Sequence, residues 1–291
     1  SNLDHQFSKK FSASLSSNFS RIKTDRKDSG GGSRGNTLIS AQFAPPTLTP
    51  YNEDGSYRIL SVVYPFVAPD LINPLNFIKE QSDVIKANIY LINAALVFNP
   101  IEELNIKISG GMENRDDRSD SYTTRKFFNS NGSASVSTGQ FISLLNENVI
   151  SYNKSFNNIH NISAVVGFTY QDFINTSLRG SGTGFLSDVF ETYNLSASIT
   201  PGIPGSNYYK SVLLSYLGRI NYNFKNKYFV TASYRADGAS KFSEGKKWGL
   251  FPSIALAWKI SEERFLKDKN VISNLKLRGS WGATGSQAID P

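Results

Sequence analysis

The sequence predicts an all-β chain, and within that class an antiparallel up-and-down transmembrane β-barrel segment of about nine strands. Three observations carry the prediction. Apolar and polar residues alternate with a period of two along much of the chain. Many of the alternating runs reach about ten residues, whereas globular strands average about five or six and a strand tilted across a bilayer needs about nine to eleven. The connections are long and short by turns, as in a barrel with tight turns at one rim and long loops at the other.

The strands follow in order. From Phe7 to Phe19, the apolar Phe7, Phe11, Ala13, Leu15 and Phe19 oppose Ser8, Lys10, Ser12, Ser14, Ser16 and Asn18. Less clean runs lie near 84–98, 103–114 and 138–153. Ile162, Ala164, Val166, Phe168 and Tyr170 then alternate with Asn161, Ser163, Gly167, Thr169 and Gln171. Val212, Leu214, Tyr216, Ile220 and Tyr222 oppose Ser211, Ser215, Arg219 and Asn221. Tyr228, Val230, Ala232, Tyr234 and Ala236 oppose Thr231, Ser233, Arg235 and Asp237. Ile254, Leu256, Trp258 and Ile260 have Lys259 on their other face, and Leu275, Leu277 and Trp281 oppose Lys276, Arg278 and Ser280.

Between these runs, 25–83 is predicted to be a long loop, with Gly30-Gly31-Gly32, Pro45-Pro46 and Asn73-Pro74 as breakers. Asn99-Pro100-Ile101-Glu102 is tight, 115–137 long, Lys154 to Asn158 short, and 174–210 a second long loop. Lys225-Asn226-Lys227 is very short and Gly238 to Trp248 of medium length. The 261–273 connection falls on the short side yet is not very short, the one blemish in the alternation.

Composition narrows the function. Mean hydropathy is −0.31 and 39% of residues are hydrophobic, values a transmembrane barrel also gives because half of each strand faces a polar lumen. No apolar run approaches the ~18 residues of a helical span; Ile89 to Phe98, among the longest, is broken by Asn93. The 20 Phe and 14 Tyr suit strands and membrane interfaces. Absence of Cys excludes a disulfide-stapled domain. The net charge of +7 is scattered, with Lys246-Lys247 typical of the longest basic runs, so nucleic acid is not an expected partner.

No catalytic constellation is found, so no enzyme activity, cofactor or metal is expected. His5 and His160 sit near short turns and lack a ligand partner four residues on. Gly180-Ser181-Gly182-Thr183-Gly184 has neither nucleotide-loop spacing nor a following helix and reads as a loop. Asp116, Asp117 and Asp120, interleaved with Arg115 and Arg118, read as a self-neutralised solvated loop rather than a calcium site.

The two faces acquire roles from the barrel reading. Tyr216, Tyr222, Phe224, Tyr228 and Trp258 cluster near strand ends on the apolar face and are predicted to form membrane girdles. In the competing reading, a secreted adhesin-like sandwich, they pack in a closed core between two sheets. Arg219, Arg235, Asp237, Lys259 and Arg278 are predicted to face the lumen or a plug within it. Phe185, Tyr193, Tyr208, Tyr209 and Trp248 fall at or near the long connections and are the substrate-contact candidates, with packing of the loops as the alternative.

An ordered set of motifs adds a resemblance. Tyr216-Leu217-Gly218-Arg219-Ile220-Asn221-Tyr222, Arg235-Ala236-Asp237-Gly238-Ala239-Ser240-Lys241-Phe242, Trp248-Gly249-Leu250-Phe251-Pro252-Ser253 and Leu275-Lys276-Leu277-Arg278-Gly279-Ser280-Trp281-Gly282 resemble the barrel of SusC/RagA-family TonB-dependent transporters of Bacteroidetes. Asn2-Leu3-Asp4-His5 to Thr24 is similar to an earlier hairpin of that barrel, and Leu145-Asn146-Glu147-Asn148 to a middle strand. The resemblance implies an outer-membrane barrel of about 22 strands with a plugged lumen. It implies import of oligosaccharides or peptides, energy from the TonB complex, and a SusD-like surface lipoprotein over the mouth. It further implies that this chain is the middle of such a barrel, without signal peptide, TonB box, plug or C-terminal strands. A TonB-dependent siderophore or vitamin receptor is the nearest alternative.

Overall fold

The alternating runs form strands that pair only with neighbours in the chain. In the computed structural model, which describes residues 1–27, 37–63, 72–267 and 272–285, they are β1 (Asn2–Gln6), β2 (Phe11–Arg26), β3 (Gln81–Ile101), β4 (Leu104–Thr123), β5 (Ser133–Phe156), β6 (His160–Phe185), β7 (Ser198–Pro201), β8 (Gly205–Phe224), β9 (Tyr228–Ala239), β10 (Trp248–Lys259) and β11 (Lys276–Gly282). Helices α1 (Thr37–Phe43), α2 (Leu60–Val63) and α3 (Pro74–Glu80) lie between β2 and β3, and α4 (Arg264–Lys267) between β10 and β11. All strands belong to one antiparallel sheet in the order β1-β2-β3-β4-β5-β6-β8-β9-β10-β11. Strand β7 pairs with the same edge of β6 as β8 does; Arg179 faces Gly205 and Gly182 faces Pro201, so it continues β8 past one extra residue, a bulge between Pro201 and Pro204. The nine predicted strands are β2 to β6 and β8 to β11.

Turn chemistry explains the tight rim. Asn157 and Asn158 have φ of 52° and 55°, and Lys225 and Asn226 have φ of 54° and 55°. Two consecutive left-handed residues closed by Ile159 N–H to Phe156 O and Lys227 N–H to Phe224 O are the geometry that matches strand twist in a hairpin. Asn tolerates that conformation because its short side chain bonds locally.

At the other rim the strands run further than predicted. The predicted loop 115–137 contracts to 124–132, and 174–210 to 186–204, because β4, β5, β6 and β8 continue past the alternating core. The Gly180 to Gly184 stretch is strand, not loop. A Cβ on Gly182 would lie 2.7 Å from the Ser198 Cβ, so glycine is required where residues 195–199 cross the strand. His5 likewise lies within β1, and His160 opens β6. Residues 260–275 contain a 3-10 turn and α4.

The described part of the long segment between β2 and β3 is organised rather than open coil. Asn73 caps α3, accepting from Leu75 N–H at 3.1 Å and donating to Pro50 O at 2.7 Å. The carboxylate of Glu80 accepts from Tyr57 at 2.5 Å and from Thr124 at 2.6 Å, and Phe77 meets Phe127 edge-on at 5.4 Å. These contacts fasten the segment to the 124–132 loop. Burial of the Tyr57 hydroxyl beside Glu80 pushes its pKa well above the ordinary tyrosine value.

Candidate functional site: an outward band and a polar wall

Antiparallel register puts opposed residues on the same face. Phe11 opposes Phe98, which opposes Ile106, which opposes Ile150, which opposes Val166. Val166 opposes Gly218, Gly218 opposes Tyr234, and Tyr234 opposes Pro252. One nearly unbroken apolar row therefore crosses eight strands. Among the described residues the band has no protein cover: Val166 is 61% exposed, Ile220 56% and Leu256 54%, and the buried hydrophobics that share its parity, Tyr122 and Ala134, lie beyond it at the long-loop rim. A sandwich core would need a second sheet here, and the described residues form only one.

Aromatic residues border the face at two levels. Near the tight turns, Tyr222, Phe224, Tyr228 and Trp258 come together: Phe224 and Tyr228 stack at 6.2 Å, Tyr228 opposes Trp258, and Tyr222 bonds His160 Nδ1 at 2.7 Å. Toward the long loops, Tyr216 contacts Phe168 at 5.2 Å and Trp248 at 6.0 Å. Trp248 and Trp258 are ten residues apart along β10. At about 3.3 Å per residue and a tilt of about 40° this is about 25 Å of height, the apolar band of a transmembrane barrel.

The opposite face is polar. Arg219, Arg235, Asp237, Lys259 and Arg278 all have the other parity and stand on it together. Asp237 accepts two bonds of 2.8 Å from Arg235 Nε and is also near Ser215 through the Arg235 bond to that hydroxyl at 3.4 Å. Thr231 donates to Asn221 at 2.8 Å and the hydroxyls of Ser233 and Ser253 are 2.7 Å apart. Near the tight-turn rim this face holds a concavity of about 780 Å³ lined by Asn161, Asn221, Thr231, Lys276, Arg278 and Ser280. Lys276 lies over the Phe229 ring at 4.1 Å.

The relatives agree with this geometry. No family model matches the chain. TonB-dependent receptor P3 of Formosa agariphila is 32% identical over 298 residues, covering 100% of this chain and 29% of that protein. TonB-dependent receptor SusC of Bacteroides thetaiotaomicron is 56% identical over 80 residues, 28% of this chain and 8% of that protein. The structure of the RagAB peptide transporter matches 99% of this chain and 32% of its own, with a TM-score of 0.80 at 20% identity. The chain is part of a SusC/RagA-like barrel. It belongs to the outer membrane, and it spans 29% of the length of its long curated relatives. Both of the named curated relatives are TonB-dependent receptors.

Within the SusC/RagA-like segment the predicted contact residues part company. Phe185 is 3% exposed and packs edge-on against Tyr122 at 5.9 Å beside Ala134, so it holds the rim together and presents no surface to a substrate. Trp248 shares the outward face with Tyr216 and stacks on it, so it does not stand on the polar face. Gly238, opposite Trp248, makes room for that ring, since a Cβ there would come within 2.9 Å of the indole. Tyr208 and Tyr209 are strand neighbours on opposite faces, Tyr208 outward and Tyr209 on the polar face. Tyr193 stands in the 186–204 loop at 78% exposed.

The acidic group in β4 is also divided by parity. Asp117 faces the polar side with Arg115 at 3.7 Å, whereas Asp116 and Asp120 face outward, Asp120 with Arg118 at 2.9 Å. Carboxylates on opposite faces cannot share a cation, and no metal-ligand group occurs among the described residues.

Sequence reasoning missed Glu263, because its partners lie in two other strands. Its carboxylate accepts from Tyr228 at 2.6 Å, Trp258 Nε1 at 3.1 Å and Lys227 at 3.2 Å, tying the 260–267 segment to the aromatic level. The Tyr228 hydroxyl, then the Trp258 N–H, then Lys227 hold the carboxyl below its usual pKa. A lowered folded-state pKa means the stabilisation is complete above the ordinary carboxylate range and is lost as pH falls through the lowered value. A fluorine resonance from 5-fluorotryptophan at Trp258 should be constant at neutral pH and shift on acidification below that range. Glu263→Gln should shift it at neutral pH and abolish the acid transition; an unchanged transition would place its cause elsewhere.

Proposed function

We propose that this chain is one wall of the barrel of a TonB-dependent outer-membrane importer of oligosaccharides or peptides. The observation that carries the reading is the uncovered apolar face, bordered at two levels by aromatics and backed by a polar face bearing Arg219, Arg235, Asp237, Lys259 and Arg278. The names of the relatives, TonB-dependent receptors and SusC, support import, and the fold of the RagAB peptide transporter is compatible with it. Among the described residues strands β1 and β11 each have one neighbour. A sheet edge cannot be left open in lipid, so further strands of the intact protein close the barrel.

In this reading the tight turns face the periplasm and the long connections, 25–83 and 174–210 as first drawn, face the exterior. A SusD-like lipoprotein sits over that mouth, and the TonB complex acts through the part of the protein outside this chain. The lumen charges meet the plug or the passing substrate. Tyr193 and Tyr209 are the retained substrate-contact candidates, since Tyr193 is exposed and Tyr209 shares the lumen face.

Growth of the native host with the intact gene deleted tests the reading. Loss of growth on oligosaccharides or on peptides as sole carbon source, with growth on the matching monosaccharide or amino acids retained, is the expected result. A defect confined to iron- or vitamin-limited medium would assign the barrel to chelate uptake instead.

A further inference from the structure

A row of like charges crosses the outward face just beyond the apolar band. The band ends at Phe19 on β2 and Tyr90 on β3, whose rings lie 4.8 Å apart. The next outward positions toward the long loops are Arg21 and Lys23 on β2, Asn88 and Lys86 on β3, and Asp116 and Arg118 on β4. Register sets Lys23 directly opposite Lys86, and Lys86 directly opposite Arg118. Three cations thus stand in one row across three neighbouring strands, with Arg21 one outward step nearer the band.

Like charges directly opposite on a sheet are unfavourable, so the arrangement calls for an anion. The protein supplies part of it: Lys23 has Asp25 at 3.4 Å and Arg118 has Asp120 at 2.9 Å. Asp116, within the same group, already accepts from Asn114 and Gln140 at 2.9 Å each. Among the described residues Lys86, between the two other cations, has no ion-pair partner, and neither does Arg21. Arg21, Lys86 and Arg118 line a concavity of about 560 Å³ with Asn88, Gln140 and Thr176; Asp116 and Asp117 also line it, which leaves the cations in excess by one.

The position identifies the class of anion. Most of the concavity's lining has the parity that continues the apolar band, one step beyond the aromatic border. Acyl chains packed along Phe19 and Tyr90 bring a headgroup to this level. We propose that Arg21, Lys86 and Arg118 seat the phosphorylated headgroup of an outer-leaflet glycolipid. The proposal rests on the reading above that the long loops face outward.

The intact outer-membrane protein, purified in detergent, is titrated with bisphosphorylated lipid A, dephosphorylated lipid A and inorganic phosphate, with binding followed by native mass spectrometry. Bisphosphorylated lipid A should bind best. Lys86→Gln should weaken it about fivefold and Lys86→Gln with Arg118→Gln about 25-fold, from about 1 kcal/mol per cation near a charged surface. Lys107→Gln, on the lumen face, should change nothing. Equal binding of the two lipids, or unchanged binding by the double variant, overturns the proposal. Full competition by millimolar inorganic phosphate also overturns it, by making this a free-anion site. If the double variant loses the heat-dependent gel shift of a folded barrel, Lys86→Gln decides, since it breaks no ion pair. Failure of the transport reading appears separately, as wild-type protein that imports nothing yet binds the lipid.

Discussion

Ile220→Arg is expected to destabilise the folded barrel in lipid by about 2–4 kcal/mol, the cost of a cation at the midplane of a lipid-facing strand. Ile220 lies four residues from Phe224 at one aromatic level and four from Tyr216 at the other, and it is 56% exposed on the outward face. The same substitution one residue along, Asn221→Arg, puts the charge on the polar face, where it meets water and other polar groups; its cost should be under about 1 kcal/mol. Urea unfolding of the intact protein in lipid vesicles, followed by gel mobility without boiling, compares the two. Equal effects at both positions would mean that the two faces do not meet different solvents.

Phe185→Ala should loosen the long-loop rim by about 3 kcal/mol, in the lower part of the range for deleting a buried ring. Phe185 packs on Tyr122, and the hydroxyl of Tyr122 donates to Asp188 at 2.7 Å, while Arg125 binds the Leu186 carbonyl at 2.6 Å. Removing the ring takes away the packing that holds residues 186–190 over β4. Amide hydrogen exchange in 186–204 should rise by roughly two orders of magnitude, a factor of ten for each 1.4 kcal/mol, with exchange in the mid-band part of β8 unchanged. Tyr193→Ala, at an exposed site in the same loop, should leave exchange unaltered. The reverse ranking would mean that Tyr193, rather than Phe185, anchors the loop.

These two variants mark the limits of what could be read before any coordinates. Ile220 and Asn221 were separable because alternation is a local property: each side chain's face follows from its place in the strand, and an apolar run of one parity announces its solvent. That Tyr216, Tyr222, Tyr228 and Trp258 share one face and Arg219, Arg235, Asp237, Lys259 and Arg278 the other was legible for the same reason. Phe185 was not. Beyond the band both faces meet water or protein, so polar strands such as 174–185 carry no alternation and read as loop.

Period, run length and turn residues therefore determined, from the sequence alone, that this chain is an antiparallel barrel wall and which parity faces outward. Pairing across the sheet decided the rest: how far the strands continue past the apolar band, that Trp248 borders the band while Tyr209 stands on the polar face, that Glu263 fastens the tight-turn rim, and that Lys23, Lys86 and Arg118 share one row. The physical reason is separation along the chain. A residue's face is set by its immediate neighbours, whereas its partners come from strands tens of residues away, and only the register of those strands says which side chains meet.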